Sequence, residues 1–138
     1  MFLDASVIVA LLAQEPGWKT IADRMDECSG EFLVSPLSKF EAVLAFARSL
    51  DSYANNRGQA LGEAEMLVNG MLVEIGAREV GITTEIGVLA LMAARVYGKV
   101  VGHRASLNLG DCFSYACAKA ERVPLLYKGN DFTHTDLG

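Results

Sequence analysis

Residues 1–18 read MFLDASVIVALLAQEPGW. Phe2 and Leu3 are apolar, Asp4 is charged, and Ala5-Ser6 leads back into the apolar run Val7-Ile8-Val9-Ala10-Leu11-Leu12. A short buried strand over Phe2 to Asp4, then a helix over Ser6 to Ala13 that stops before Glu15-Pro16-Gly17, explains the change of pattern. A strand followed at once by a helix sets the fold class if the alternation continues. It also leaves a carboxylate at the junction. Asp4 is either the N-cap of the helix, accepting from its orphan N–H groups, or a metal ligand. Within this stretch the two readings are equally good.

The alternation does continue. The pattern predicts a helix from Trp18 to about Cys28, then a strand over Glu31-Phe32-Leu33-Val34-Ser35, ended by Pro36. Ser38 to Leu50 follows as a helix with Phe40, Val43, Leu44, Ala47 and Leu50 on one side. Arg57 to Ile75 carries the clearest helical stripe, with Leu61, Ala64, Val68, Met71, Leu72 and Ile75 at steps of three and four. Glu79 to Ile82 is a third strand. Thr84 to Tyr97 is a helix so uniformly apolar that it is expected to be largely buried. A glycine-punctuated connection, Val96 to Gly102, leads to a helix that starts at Asn108-Leu109-Gly110-Asp111 and runs to about Arg122. Val123 to Tyr127 is the last strand, and Lys128 to Gly138 is a loop. This order predicts one α/β domain over residues 1–138: a three-layer α/β/α sandwich around a mainly parallel sheet.

Composition limits the function classes. The chain has 138 residues, half of them hydrophobic, so it can bury a real core. No apolar run reaches the ~20 residues of a membrane span. The N-terminus lacks a basic region, and Asp4 breaks its apolar stretch, so it does not read as a signal peptide; a soluble, cytoplasmic protein is expected. Cys28, Cys112 and Cys117 have no CxxC spacing, which argues against a zinc site or a disulfide framework and for small buried hydrophobes. The net charge of −5 does not by itself point to nucleic acid. An acidic protein still acts on RNA if its carboxylates hold cations.

In parallel sheets, ligands sit beyond the carboxyl ends of the strands. Asp4 lies at such an end, and Asp131 lies four residues past the last strand. Asp111 opens the helix before that strand, and Glu41 falls in the first turn of the helix after the second strand. Each has a bland alternative. Asp4 and Asp111 are cap-like, and Asp131 in Gly129-Asn130-Asp131 is a good turn former. Glu41 is harder to dismiss, because Phe40-Glu41-Ala42-Val43-Leu44-Ala45-Phe46 offers little polar surface. It either shares a narrow wet face with Arg48 or is held by something cationic. Together the four would repel and raise one another's pKa. A hard divalent cation, Mg²⁺ or Mn²⁺, relieves that, and such a site suits phosphoryl chemistry. His103 and His134 lack metal-pair spacing and read as surface residues or partner contacts.

Asp4-Ala5-Ser6 after a short strand, Ser35-Pro36-Leu37-Ser38-Lys39-Phe40-Glu41, Leu107-Asn108-Leu109-Gly110-Asp111-Cys112 and Pro124-Leu125-Leu126-Tyr127-Lys128-Gly129-Asn130-Asp131-Phe132 come in an order and spacing that resembles PIN-domain proteins. The likeness is greatest to the small VapC-type toxins of type II toxin–antitoxin pairs, and it covers essentially the whole chain. The resemblance implies an endoribonuclease dependent on Mg²⁺ or Mn²⁺ that inhibits translation. It also implies a cognate antitoxin that blocks the active site, and homodimerisation. Carried over, Asp4 and Asp111 are the direct metal ligands, with Glu41 and Asp131 acting directly or through water. Ser6 supports Asp4, and Asn130 is a supporting donor. Transfer RNA, ribosomal RNA and message stay open as substrates.

Arg95, Lys99, His103 and Arg104 form the densest basic stretch. They are candidate RNA-backbone contacts or simply a solvated loop. A basic rim beside an acidic centre would reconcile RNA binding with the net charge. Leu11, Leu12, Trp18, Val43 and Phe46 supply an apolar excess compatible with dimer or antitoxin surfaces. Three rivals carry less. A receiver-type phosphoacceptor domain needs an acidic pair after its first strand, where this chain has Asp4-Ala5-Ser6. A haloacid-dehalogenase-type phosphatase needs Asp-x-Asp, and Ser6 takes the second place. A catalytically inactive PIN-like partner-binding module would not need all four acids.

Overall fold

A computed structural model describes residues 1–138. Four strands, β1 (Phe2–Leu3), β2 (Leu33–Val34), β3 (Arg78–Glu79) and β4 (Leu125–Leu126), form one parallel sheet in the order β3-β2-β1-β4. Six helices surround it: α1 (Ala5–Leu12), α2 (Trp18–Asp26), α3 (Pro36–Ala47), α4 (Arg57–Glu74), α5 (Thr84–Tyr97) and α6 (Leu109–Glu121). None is long and apolar enough to cross a membrane.

Each strand is two residues long, and the pleat sends neighbours to opposite faces. Phe2, Leu33 and Leu125 enter one core, with Ile86 and Ala90 of α5 and Tyr115 and Ala116 of α6. Leu3, Val34 and Leu126 enter the other, with Ile8 of α1, Ile21 of α2, Ala42 of α3 and Val68 of α4. Two cores on two faces make the three layers. Burying a side chain of this size stabilises by about 1.5–3 kcal/mol, so three apolar dipeptides suffice to define the central strands.

The strand order places the functional crevice. From β1 the chain moves outward to β2 and β3, then returns to lay β4 on the far side of β1. The order reverses between β1 and β4, and the space beyond their carboxyl ends is where open parallel sheets bind ligands. β1 is pinned there although it is short: Phe2 N–H donates to Pro124 O at 2.8 Å and Asp4 N–H to Leu126 O at 3.0 Å.

Four expectations need correction. α5 has the expected bounds but is not largely buried. Ile86, Ala90 and Ala93 face the core, whereas Val88, Leu91, Met92 and Val96 lie open on the opposite face, Leu91 at 67% exposure. Only the side of α5 that packs on α6 and the shared core is covered, so apolarity all round marks an uncovered surface here. β3 sits earlier than Glu79 to Ile82, because Arg78 and Val80 N–H donate to Phe32 and Val34 and fix the register. Its side chains are exposed and held by ion pairs, Arg78 with Glu31 and Glu121, Glu79 with Lys39. Third, α3 starts at Pro36, capped by the Ser35 hydroxyl, so Glu41 lies in its second turn and the helix ends at Ala47. Finally, Cys112 and Cys117 are buried, but Cys28 is only half-buried.

Candidate active site

Asp4 is both a cap and a buried pocket residue. It caps α1, its Oδ2 accepting from Ser6 N–H at 3.0 Å and Ser6 Oγ at 2.6 Å. Its Oδ1 accepts from Ser114 Oγ of α6 at 2.7 Å. Ser6 Oγ in turn accepts from Lys128 N–H, just past β4, at 3.0 Å. Serines from two helices and the backbone after β4 thus bear on one carboxylate.

Asp111 occupies the third position of α6 in a capping box. Asn108 Oδ1 accepts from Asp111 N–H at 3.1 Å, and Asp111 Oδ2 accepts from Asn108 N–H at 2.8 Å. α6 feeds β4, so its N-terminus lies at the rim above the strand ends. Glu41 reaches the same rim from α3. A β-carbon on Gly110 would overlap its carboxylate, so glycine there is what lets the acid lie against the start of α6. Asp131, in the exposed turn after β4, completes the four.

Asp4, Glu41, Asp111 and Asp131 line one pocket of about 330 Å³, together with Ser6, Glu15 and Asn108. The lining holds five carboxylates and no basic side chain. Electrostatics follow. Glu41's pKa is raised, by burial first and then by the charges of Asp4 and Asp111. Burial pushes the Asp111 carboxyl up to about 6, with Asp4 and Asp131 adding to the rise and the Asn108 N–H opposing it.

The donor set fits a hard divalent cation. All the ligating atoms on offer are carboxylate, amide or hydroxyl oxygens, and the raised pKa values of Glu41 and Asp111 come first from burial of their charge and then from the acids beside them. No three acids are grouped as ready-made ligands of one ion. Mg²⁺ commonly takes one or two carboxylates and keeps several waters, and a pocket of this volume has room for them.

Other expected residues fall elsewhere. Asn130 is exposed and outside the pocket lining. Arg95 and Arg104 are exposed, the latter hydrogen-bonded to His134 Nδ1. His103 anchors a turn: its Nδ1 accepts from Ala105 N–H and its ring stands edge-on to Tyr97. Lys99 lines an apolar groove between α5 and α6 that shares Asn108 with the acidic pocket. Glu15, Asn108 and Ser114 were not singled out by sequence. Glu15 follows α1 and is ion-paired with Lys128 at the rim. Asn-x-x-Asp before a helix is a legible capping signal for Asn108; Ser114, inside a helix, gives none.

Residues 1–137 match the PIN domain. The chain belongs to the PIN-domain family. A VapC ribonuclease of Rhizobium meliloti is 49% identical over 99% of each chain. Ribonuclease VapC42 of Mycobacterium tuberculosis is 31% identical, over 99% of this chain and 96% of its own. Among solved PIN-like structures, Mycobacterium tuberculosis VapC20, a sarcin-ricin loop cleaving toxin, superposes with a TM-score of 0.69 at 16% identity, covering 96% of this chain and 92% of its own. A toxin–antitoxin complex from Klebsiella pneumoniae contains a chain that superposes at 0.68 with 15% identity, covering 98% and 92%. These two establish the shared fold. Full-length identity to the ribonucleases places this chain in the VapC branch.

Proposed function

We propose that this VapC ribonuclease toxin hydrolyses RNA phosphodiesters at the pocket formed by Asp4, Glu41, Asp111 and Asp131, with Mg²⁺ or Mn²⁺ as cofactor. The observation that carries this is the convergence of acids from four separate segments on one pocket at the strand-order reversal, with no basic side chain in its lining. Structural acids would be distributed or paired with cations.

Asp4 and Asp111 are the direct ligands in this reading, and Glu41 and Asp131 act directly or through water. The ion, when bound, orients and acidifies a water and screens charge on the phosphate. Asp4 is oriented by Ser6, and Asp111 is oriented by its capping box with Asn108. Arg95, Lys99 and Arg104, on the segment anchored by His103, contact the RNA backbone. The products carry a 5′-phosphate and a 3′-hydroxyl.

The partner is a cognate antitoxin in the cytoplasm. A groove of about 880 Å³ between α1, α2 and α4, lined by Leu11, Leu12, Trp18, Met66 and Met71, supports the docking of an apolar helix. The open face of α5 supports a homodimer.

Pooled cellular RNA incubated with antitoxin-free protein and Mg²⁺, Mn²⁺ or EDTA tests the proposal. Discrete fragments with 5′-phosphate ends, formed only with metal, are expected. Intact RNA under all three conditions counts against it.

A further inference from the structure

We propose that Ser114 is a positioning residue: its buried hydroxyl fixes the Asp4 carboxylate relative to Asp111, so that the two acids meet an incoming cation as one preformed edge. The inference rests on the metal-dependent reading of the pocket.

Four observations carry it. Ser114 is 1% exposed, and its hydroxyl donates to Asp4 Oδ1 at 2.7 Å. A hydroxyl inside a helix ordinarily bonds back to its own backbone or reaches solvent; this one crosses to another element and meets a carboxylate. Its neighbours Ala116, Cys117 and Ala118 are all fully buried small residues, so alanine would serve the packing equally well. The cap of α1 does not need it, because Ser6 N–H already occupies Asp4 Oδ2.

The register explains what the bond does. Ser114 lies three residues after Asp111 on α6, so the two share a helix face. Ser6 and the Lys128 N–H hold Asp4 to α1 and to the end of β4. Ser114 alone ties it by hydrogen bond to the helix that carries Asp111. Both oxygens of Asp4 have a fixed donor, which leaves the remaining lone pairs with one orientation toward the pocket. Outer hydrogen bonds of this kind orient ligands, and their loss characteristically lowers metal affinity by about 10–100-fold.

The test compares wild type, Ser114→Ala, Ser114→Cys and Ser114→Thr by Mn²⁺ binding, thermal unfolding and RNA cleavage. Cysteine keeps the volume but is a weak donor, whereas threonine keeps the hydroxyl. Cys117→Ala, one turn further along α6, controls for loosening of the helix. Ala and Cys variants that remain folded, bind Mn²⁺ at least tenfold more weakly and regain much of their cleavage rate at high Mn²⁺ are expected, with the Thr and Cys117→Ala variants near wild type in affinity. Ser114→Ala and Ser114→Cys with Mn²⁺ affinity within twofold of wild type, while Asp4→Asn abolishes binding, would overturn the role of Ser114 and leave the metal site standing. A Cys117→Ala variant as weak as Ser114→Ala would also overturn it. Wild type that binds no Mn²⁺ would overturn the metal reading itself, and this proposal with it.

Discussion

Replacing Asp111 with asparagine should stabilise the metal-free protein at neutral pH, although it removes a carboxylate proposed to bind the cation. The Asp111 carboxyl is raised from 3.8 to about 6 in the folded chain. The folded state therefore binds more protons than the unfolded state between about pH 4 and 6, and stability falls as pH rises through that window. Above it the full cost of the charge is present. That rise from 3.8 to about 6 corresponds to ~3 kcal/mol, which screening at a partly exposed group reduces to ~1–2 kcal/mol. The Asp111→Asn variant keeps an amide oxygen for the Asn108 N–H, so the cap survives, but the charge at the helix N-terminus is lost, at about 0.3–1 kcal/mol. A net gain of ~0.5–1.5 kcal/mol remains, or about 2–5 °C in Tm for a domain of this size. The assay is thermal unfolding of wild type and Asp111→Asn in EDTA at pH 5 and pH 8, then at pH 8 with Mg²⁺. The variant should be the more stable at pH 8 in EDTA, and the gap should narrow at pH 5. Saturating Mg²⁺ should reverse the order, since a ligand at 100 times its Kd adds ~2.7 kcal/mol to the state that binds it. An Asp111→Asn protein less stable than wild type at pH 8 in EDTA would refute the claim that the pocket holds the ionised Asp111 carboxylate at a cost, through burial first and neighbouring acids second.

Further outcomes follow from the same geometry. Asp4→Asn should lose cleavage by about 10²-fold or more while keeping the α1 cap, whereas Asp4→Ala should lose cleavage and a further ~1 kcal/mol of stability; equilibrium unfolding of the two variants separates cap from site. Gly110→Ala should displace Glu41 and reduce the cleavage rate about tenfold to a hundredfold in a protein that still folds, read by single-turnover kinetics with circular dichroism as control. Leu91→Glu, on the open face of α5, should leave unfolding within about 0.5 kcal/mol of wild type and shift the protein to monomer by light scattering.

How much of this was legible in the sequence varied with the kind of signal. α5 and α4 have the predicted starts because Thr83 and Asn56 cap them with side-chain oxygens, a local signal that sequence carries. The three apolar strands stand out because each is buried on both faces. β3 was misplaced because an exposed edge strand is defined by its pairing partner and not by its own apolarity. Asp4, Asp111 and Asp131 could be named because each sits at an element boundary where the strand-end rule puts it, and Glu41 because it is the one acid in an otherwise apolar stretch of α3. Their convergence on one rim was legible for the same reason, but the contacts that hold them there were not, since these depend on Gly110 yielding space to Glu41 and on Ser114 reaching Asp4 across 110 positions of sequence. The exposure of α5 was equally hidden: an all-round apolar helix reads the same whether the chain covers it or leaves it for another molecule.

The central claim is that these acids act as one metal-loaded unit on RNA. The most direct measurement is the cleavage rate of one defined RNA fragment by wild type, Asp4→Asn, Asp111→Asn and the double variant, each with Mn²⁺ and with EDTA. The account predicts cleavage by wild type with Mn²⁺ only, and a double variant scarcely slower than either single variant, because residues that act as a unit are lost together. Cleavage in EDTA, or folded single variants near the wild-type rate, would contradict it.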